Sequence, residues 1–278
     1  MKKVSVLRNI VWKFRKFRRT FKGVNYSKTL YINFKTQSFK TAIKLPILIY
    51  GKLAIPRLSG QIILKGPIQT GRFRIGYNSD QFSASKGSAM FNLTGKIISY
   101  GKFFASIDVL IQVAGTLELE DCTFFGNSSK LRCFKYIKFG IGSRMVSECQ
   151  AFDTNFHYMR NIETGEVYPH DGKIIVGNYC WIGNRTTLSK GTVLPDYTIV
   201  ASNSLCNRDF SNINIIAPML GGMPAKPIGK GGMVRIFDVE TERKIIEYFK
   251  SNPNAKVYMD ESGLKDQHEA LKASFKML

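Results

Sequence analysis

The chain has 278 residues, 44% of them hydrophobic, with 24 glycines and a net charge of +21. That length suits one large domain or two ordinary ones, and the apolar content suits a folded, turn-rich protein rather than a disordered one. No apolar run approaches the roughly 20 residues needed to cross a bilayer, and Arg8 and Lys13 interrupt any signal-like apolar core near the start. The five cysteines (Cys122, Cys133, Cys149, Cys180 and Cys206) are odd in number and lack paired spacing. They read as reduced thiols of a cytoplasmic protein, and no metal site is expected.

Residues 1–22 place Leu7, Ile10, Val11, Phe14, Phe17 and Phe21 at helical spacing among Lys and Arg, with no acid. This predicts a basic amphipathic helix suited to a membrane surface, such as the inner face of an anionic membrane, or to a partner groove, with packing on its own domain or trimer as the plainer alternative. Residues 23–70 carry short β-rich runs broken by Pro46, Pro56 and Pro67, which predicts an irregular β cap. From about residue 71 the chain is Gly-punctuated and β-rich, and a six-residue beat, blurred at first, sharpens at Phe139-Gly140, Met145 and Ala151. Ser143 and Cys149 are its small partners.

The beat breaks across 153–173, a polar loop holding two of only three histidines, and resumes at Val176. Aliphatic residues then return every sixth position at Val176, Ile182, Leu188, Leu194 and Val200. Small residues (Cys180, Thr186, Thr192, Thr198 and Ser204) stand in step between them. Neither a helix nor a flat strand repeats with period six. A coil with flat sides does, with the aliphatic side chain inside and the small one in the corner, and hexapeptide repeats mark β-helices. Pro218, Pro224 and Pro227 close the coil, giving a β-helix domain over 71–230. Helices are predicted at 238–250 and within 262–278, forming a C-terminal extension over 231–278.

The repeat, followed by Gly222-Met223-Pro224-Ala225-Lys226, resembles the hexapeptide-repeat acyltransferases. Tyr179-Cys180-Trp181-Ile182-Gly183 resembles the family's aromatic-Ile-Gly coil, and Val200-Ala201-Ser202-Asn203-Ser204 its Val-Ala-Ala-Gly-Ser coil. Asp153-Thr154-Asn155-Phe156-His157 resembles the Asp-x-Asp-x-His segment bearing the family's catalytic histidine, with Asn155 in place of an acid. Within the family, Asn33-Phe34 and Ala42-x-x-Leu45-Pro46 are closest to the bacterial surface-glycan O-acetyltransferase branch. The resemblance implies a left-handed parallel β-helix, a homotrimer, and acetyl-CoA or another acyl-CoA as co-substrate in a groove between subunits.

Acyl transfer to a hydroxyl needs a base, an oxyanion site and a grip on the cofactor. His157 is the expected base, since imidazole titrates near neutrality. Asp153 is a candidate to orient it, against the plainer role of a turn cap. Asn155 and His170 are candidate acceptor-sugar contacts, although a loop histidine is most often merely exposed. Trp181, with the backbone at Gly183 and Ala201, would line the pantetheine groove, and Arg208 and Lys226 would meet the cofactor phosphates. His268 has no expected role. The function expected is O-acetylation of a glycan or glycan precursor such as capsule or lipopolysaccharide. The alternatives are N-acetylation of a nucleotide-linked aminosugar and a non-enzymatic basic scaffold on nucleic acid or membrane. A zinc hydratase would need three histidines in the site, and 139–205 offers two.

Overall fold

The computed structural model describes residues 18, 20–77, 88–261, 263 and 266–277. The predicted helix at 1–22 therefore lies almost wholly outside the described residues. Among the described residues, short strands wind into three sheets of nine, seven and six strands, and successive strands of the chain pass from one sheet to the next around the coil. Together they form a three-sided parallel β-helix with a single apolar interior. Only the last strand of the nine-stranded face, Ala225–Pro227, runs antiparallel, folding back on Met219–Gly222.

The coil begins at Ile47–Ile49, which pairs with Phe73–Ile75, so the solenoid starts some twenty residues earlier than the blurred beat indicates. The blur has a geometric cause. On the nine-stranded face Phe104 lies over Phe124 and Phe124 over Arg144, twenty residues per coil, whereas Trp181 lies over Ile199, only eighteen. The two extra residues sit at the corner between the second and third faces, at Ala114-Gly115 and Phe134-Lys135. Inward positions there run six, six, eight: Ala105, Ile111, Leu119, Phe125, Leu131 and Phe139 are all buried. The uniform six-residue step exists only in the last coils, where Val176 to Val200 are buried and Cys180, Thr186, Thr192, Thr198 and Ser204 fill the corners.

Burial of this stripe drives the winding, at about 25 cal/mol per Å² of apolar surface removed from water. Phe73, Phe103, Phe125 and Phe139 stack through the interior with ring centroids 4.7, 5.0 and 4.9 Å apart. Edge-to-face and tilted packing of that kind adds to the burial. All five cysteines are buried and unpaired. Burial pushes the Cys180 and Cys206 thiols up to about 12, so they serve as small core residues.

The start of the chain departs from the expected β cap. Residues 26–42 fold into helix α1 (Tyr26–Thr36) and the single turn α2 (Phe39–Ala42). Asn25 caps α1 by accepting the Lys28 amide. The helix closes the open end of the nine-stranded face with side chains that imitate a strand. Asn33 donates its Nδ2 to the Ile47 carbonyl and accepts the Ile47 amide, and the Thr29 hydroxyl accepts the Ile49 amide. A strand edge left bare would invite foreign pairing, and these bonds satisfy it. The apolar β-rich run at 45–50 shows why sequence patterning favours strand here, while the capping role of Thr29 and Asn33 carries no such signature.

At the other end helices α3 (Val239–Ser251) and α4 (Gln267–Met277) follow the last hairpin. Leu271 and Phe275 of α4 pack with Phe104, Cys122 and Phe237 in a second apolar cluster outside the prism. His268, which had no expected role, ties α4 to the coil through its Nε2, 3.0 Å from Asp121 Oδ2.

Candidate active site

The corner that carries two extra residues in earlier coils carries the whole 153–172 excursion in the next one. Ala151 and Ile174 remain in the buried stripe on either side, so the loop leaves and re-enters without disturbing the coil. Its arms run antiparallel. Thr154 bridges Asp171, the Asn155 amide donates to the His170 carbonyl at 2.7 Å, and Met159–Arg160 pairs with Val167–Tyr168. Two lysines from flanking coils fasten the base: Lys135 Nζ lies 2.8 Å from Asp171 Oδ1, and Lys190 Nζ donates to the Pro169 carbonyl at 2.7 Å. A hairpin fixed in this way holds its side chains off a rigid scaffold, an arrangement suited to presenting catalytic groups.

His157 stands exposed on the first arm, and among the described hydrogen bonds none engages its ring. Its neighbour Phe156 has φ +65°, a left-handed conformation rare for a bulky side chain and costing roughly 1–3 kcal/mol. Three contacts hold it there. The Phe156 amide donates to the Thr154 hydroxyl at 3.0 Å, its ring meets Phe134 edge-on at 5.2 Å, and the Arg132 guanidinium lies 5.3 Å from its centroid. The reversal at Phe156 sends the chain outward at His157.

His170 lies on the facing arm. Its Nδ1 is 3.1 Å from the Thr154 hydroxyl, and its ring packs edge-on against Tyr158 at 4.6 Å. Thr154 thus touches both arms, joining the strained Phe156 amide to the second histidine. Sequence reasoning passed over it; the only signal was a hydroxyl residue two positions before an N–H it can accept.

Asp153 does not orient His157. It is wholly buried, and its carboxylate accepts the backbone amides of Phe134, Lys135 and Tyr136 at 2.8, 2.8 and 2.9 Å. Burial pushes its carboxyl above 3.8 while these three amides pull the other way. Asp153 is a corner clamp, closing over the two extra residues of the preceding coil. Its place four positions before the histidine is a matter of sequence, since its partners come from the coil below.

The groove residues are also rearranged. Trp181 is half-buried, and the Arg235 guanidinium covers it at 4.0 Å from the ring centroid. Beside it Arg144 lies 5.2 Å from the Phe275 ring and 5.5 Å from the Phe237 ring, under the C-terminal segment. Burial first, and then the Arg235 charge, lowers Arg144 to about 10. The chain's own C-terminal segment thus packs against one face of Trp181.

Gly183 and Ala201 join coil to coil. The Gly183 amide donates to the Val200 carbonyl and the Ala201 amide to the Leu220 carbonyl, both at 2.8 Å. The Ala201 carbonyl is filled by the Thr186 and Ser204 hydroxyls. A Cβ on Gly183 would sit 2.7 Å from both the Ser202 nitrogen and the Val200 oxygen, backbone atoms that cannot swing away. Gly183→Ala should therefore destabilise the chain by roughly 1–3 kcal/mol, read as a lowered melting temperature. An unchanged melting curve would show that the coils separate at no cost.

Arg208 is exposed and leans on Phe210 at 5.0 Å, beside the six-stranded face that receives Asp209 through Val193. Lys226 is exposed on the terminal hairpin of the nine-stranded face. The structure does not bring the two together. Among the described residues no group of three or more His, Cys, Asp or Glu could hold a metal ion, and no helix is long and apolar enough to cross a membrane.

No protein-family model and no curated protein sequence matches the chain. Solved structures do match. AntD, an N-acyltransferase from Bacillus cereus in complex with dTDP and 3-hydroxybutyryl-CoA, aligns at 11% identity and a TM-score of 0.40, covering 80% of this chain and 99% of that one. The polySia-specific acetyltransferase NeuO aligns at 11% identity and 0.36, covering 75% and 95%. The polysialic acid O-acetyltransferase OatWY aligns at 16% and 0.34, covering 71% and 95%. The coil itself, seen directly in three sheets of stacked parallel strands with inward steps of six or eight residues, makes this chain a parallel β-helix protein.

Proposed function

We propose that the chain transfers an acetyl group from acetyl-CoA, or a related acyl-CoA, to a hydroxyl of a glycan or glycan precursor. The carrying observation is the clamped hairpin: it holds His157 exposed, with no described hydrogen bond to its ring, at a corner where the solenoid is interrupted. His157 takes the acceptor hydroxyl proton as its oxygen attacks the thioester carbonyl. A tetrahedral oxyanion forms, collapses to the ester, and the departing thiolate receives the proton as CoA-SH. Asn155, exposed beside the base, and His170, fixed by Thr154, are the groups to which the acceptor sugar binds. Of the two cations assigned to the cofactor phosphates, Lys226 fits better, since it stands free on the surface whereas Arg208 packs along Phe210.

The hairpin also supports assembly as a homotrimer. Tyr158, Met159, Ile162, Val167 and Tyr168 are all exposed on one chain, Ile162 by 91%, and an apolar cluster of this kind finds cover on a second copy. Ile162→Asp should lower the mass seen by analytical ultracentrifugation while the coil stays folded. Unchanged mass would remove the hairpin from the interface.

The reaction is tested by release of free CoA thiol from acetyl-CoA with glycan acceptors, and by the product's lability. An O-acetyl ester is cleaved by mild hydroxylamine, whereas an N-acetyl amide survives. Turnover that yields only a hydroxylamine-stable product from a nucleotide-linked aminosugar would establish the N-acetyl alternative. Absence of thiol release with every acceptor would overturn acyl transfer.

A further inference from the structure

Helix α1 is amphipathic in the wrong sense for a soluble protein. Its inward face is polar, Thr29 and Asn33 spending their side chains on the strand edge at Ile47 and Ile49, with Ile32 the apolar exception. Its outward face carries Tyr26, Leu30, Tyr31 and Phe34, all about half exposed, and the next turn adds Phe39 at 74% and Ile43 at 55%. Lys35, Lys40 and Lys44 stand exposed among these side chains. The helix covers the first strand of the nine-stranded face, so this surface forms one end of the solenoid.

The charge of this part of the sequence is one-sided. Residues 1–79 contain 18 Lys or Arg and no Asp or Glu, so most of the net +21 belongs to this end of the chain. A surface that pairs exposed aromatic and aliphatic side chains with lysines, within a stretch of sequence that contains no acid, is complementary to an anionic bilayer interface. Its rings enter the headgroup boundary and its ammonium groups meet lipid phosphates. Nucleic acid would use the lysines but leave Leu30 and Ile43 in water. We infer that the outward face of residues 26–44 docks on an anionic phospholipid surface, standing the solenoid end-on to the membrane. This inference is independent of the acyl-transfer reading.

Co-sedimentation of the full-length protein with phosphatidylglycerol–phosphatidylcholine vesicles and with pure phosphatidylcholine vesicles tests it. Two variants, Leu30→Ser with Phe34→Ser and Lys35→Glu with Lys40→Glu, leave Thr29 and Asn33 in place, and a melting curve checks that the cap is retained. Binding is expected only to the anionic vesicles and to fall with salt. Each variant should weaken it at least roughly tenfold, and deletion of residues 2–17 should leave a salt-sensitive remainder. Wild-type partition of both variants, complete loss on deleting 2–17 alone, or no binding to anionic vesicles would each overturn the inference. So would a fall in oligomer mass in the Leu30/Phe34 variant, which would assign the face to contact between copies.

Discussion

Replacing His157 by alanine is expected to lower turnover by roughly 10²–10⁴-fold, the usual contribution of a positioned general base, with the melting temperature unchanged. The two halves of this expectation rest on the same observation. The ring is exposed and makes no described hydrogen bond, so its removal leaves no buried partner unsatisfied and opens no cavity. The His170→Ala variant supplies the contrast. That ring is bonded to Thr154 and packed on Tyr158, so its loss should raise KM for the acceptor while sparing more of kcat. Thiol-release kinetics on the two variants separates the roles. Near-normal turnover of His157→Ala beside an inactive His170→Ala would transfer the base to the facing arm, and near-normal turnover of both would remove the mechanism.

Asp153→Ala is expected to give the largest stability loss of any single change in the loop, roughly 2–5 kcal/mol. Three part-buried amide donors lose their acceptor at once, and each group left unsatisfied costs up to about 1–3 kcal/mol before relaxation or hydration. The amides of Phe134, Lys135 and Tyr136 belong to the corner of the preceding coil, where its two extra residues bulge. Without the carboxylate that corner has no local substitute, and water must enter to fill the gap. Asp153→Asn should cost less, because its carbonyl oxygen can still accept the Lys135 and Tyr136 amides while its NH₂ faces the Phe134 donor. Denaturant unfolding of the two variants gives the order directly. If Asp153→Ala were as stable as wild type yet inactive, Asp153 would belong to the chemistry and not to the corner.

The resemblance and the structure agree on the loop and divide on Asp153, and the reason lies in coil length. Val176, Ile182, Leu188, Leu194 and Val200 could be read as one inward stripe because each coil imposes its own demand locally: an apolar side chain mid-side and a small one in the corner. The excursion was visible as the place where that demand lapses, and His157 and His170 as the two histidines within it. In the earlier coils the same demand is met at six, six and eight residues, so a six-residue template loses step at each second corner. The partners of a side chain are a separate matter. Asp153 meets Phe134 to Tyr136, 17 to 19 residues away, and that offset follows from how many residues the intervening turn of the solenoid contains.

By itself, then, the order of residues determined the winding, the interior and the interruption, since each is enforced by burial within a few neighbouring positions. Tertiary structure decided which groups are free. It spent Asp153, Gly183 and Ala201 on holding coils together. It laid Arg235 over Trp181 from 54 residues further along, and it turned the apolar face of α1 outward by giving Thr29 and Asn33 a strand edge to satisfy. Those choices depend on stacking distances and on competition for hydrogen bonds between segments far apart in the chain, and neither is written in local periodicity.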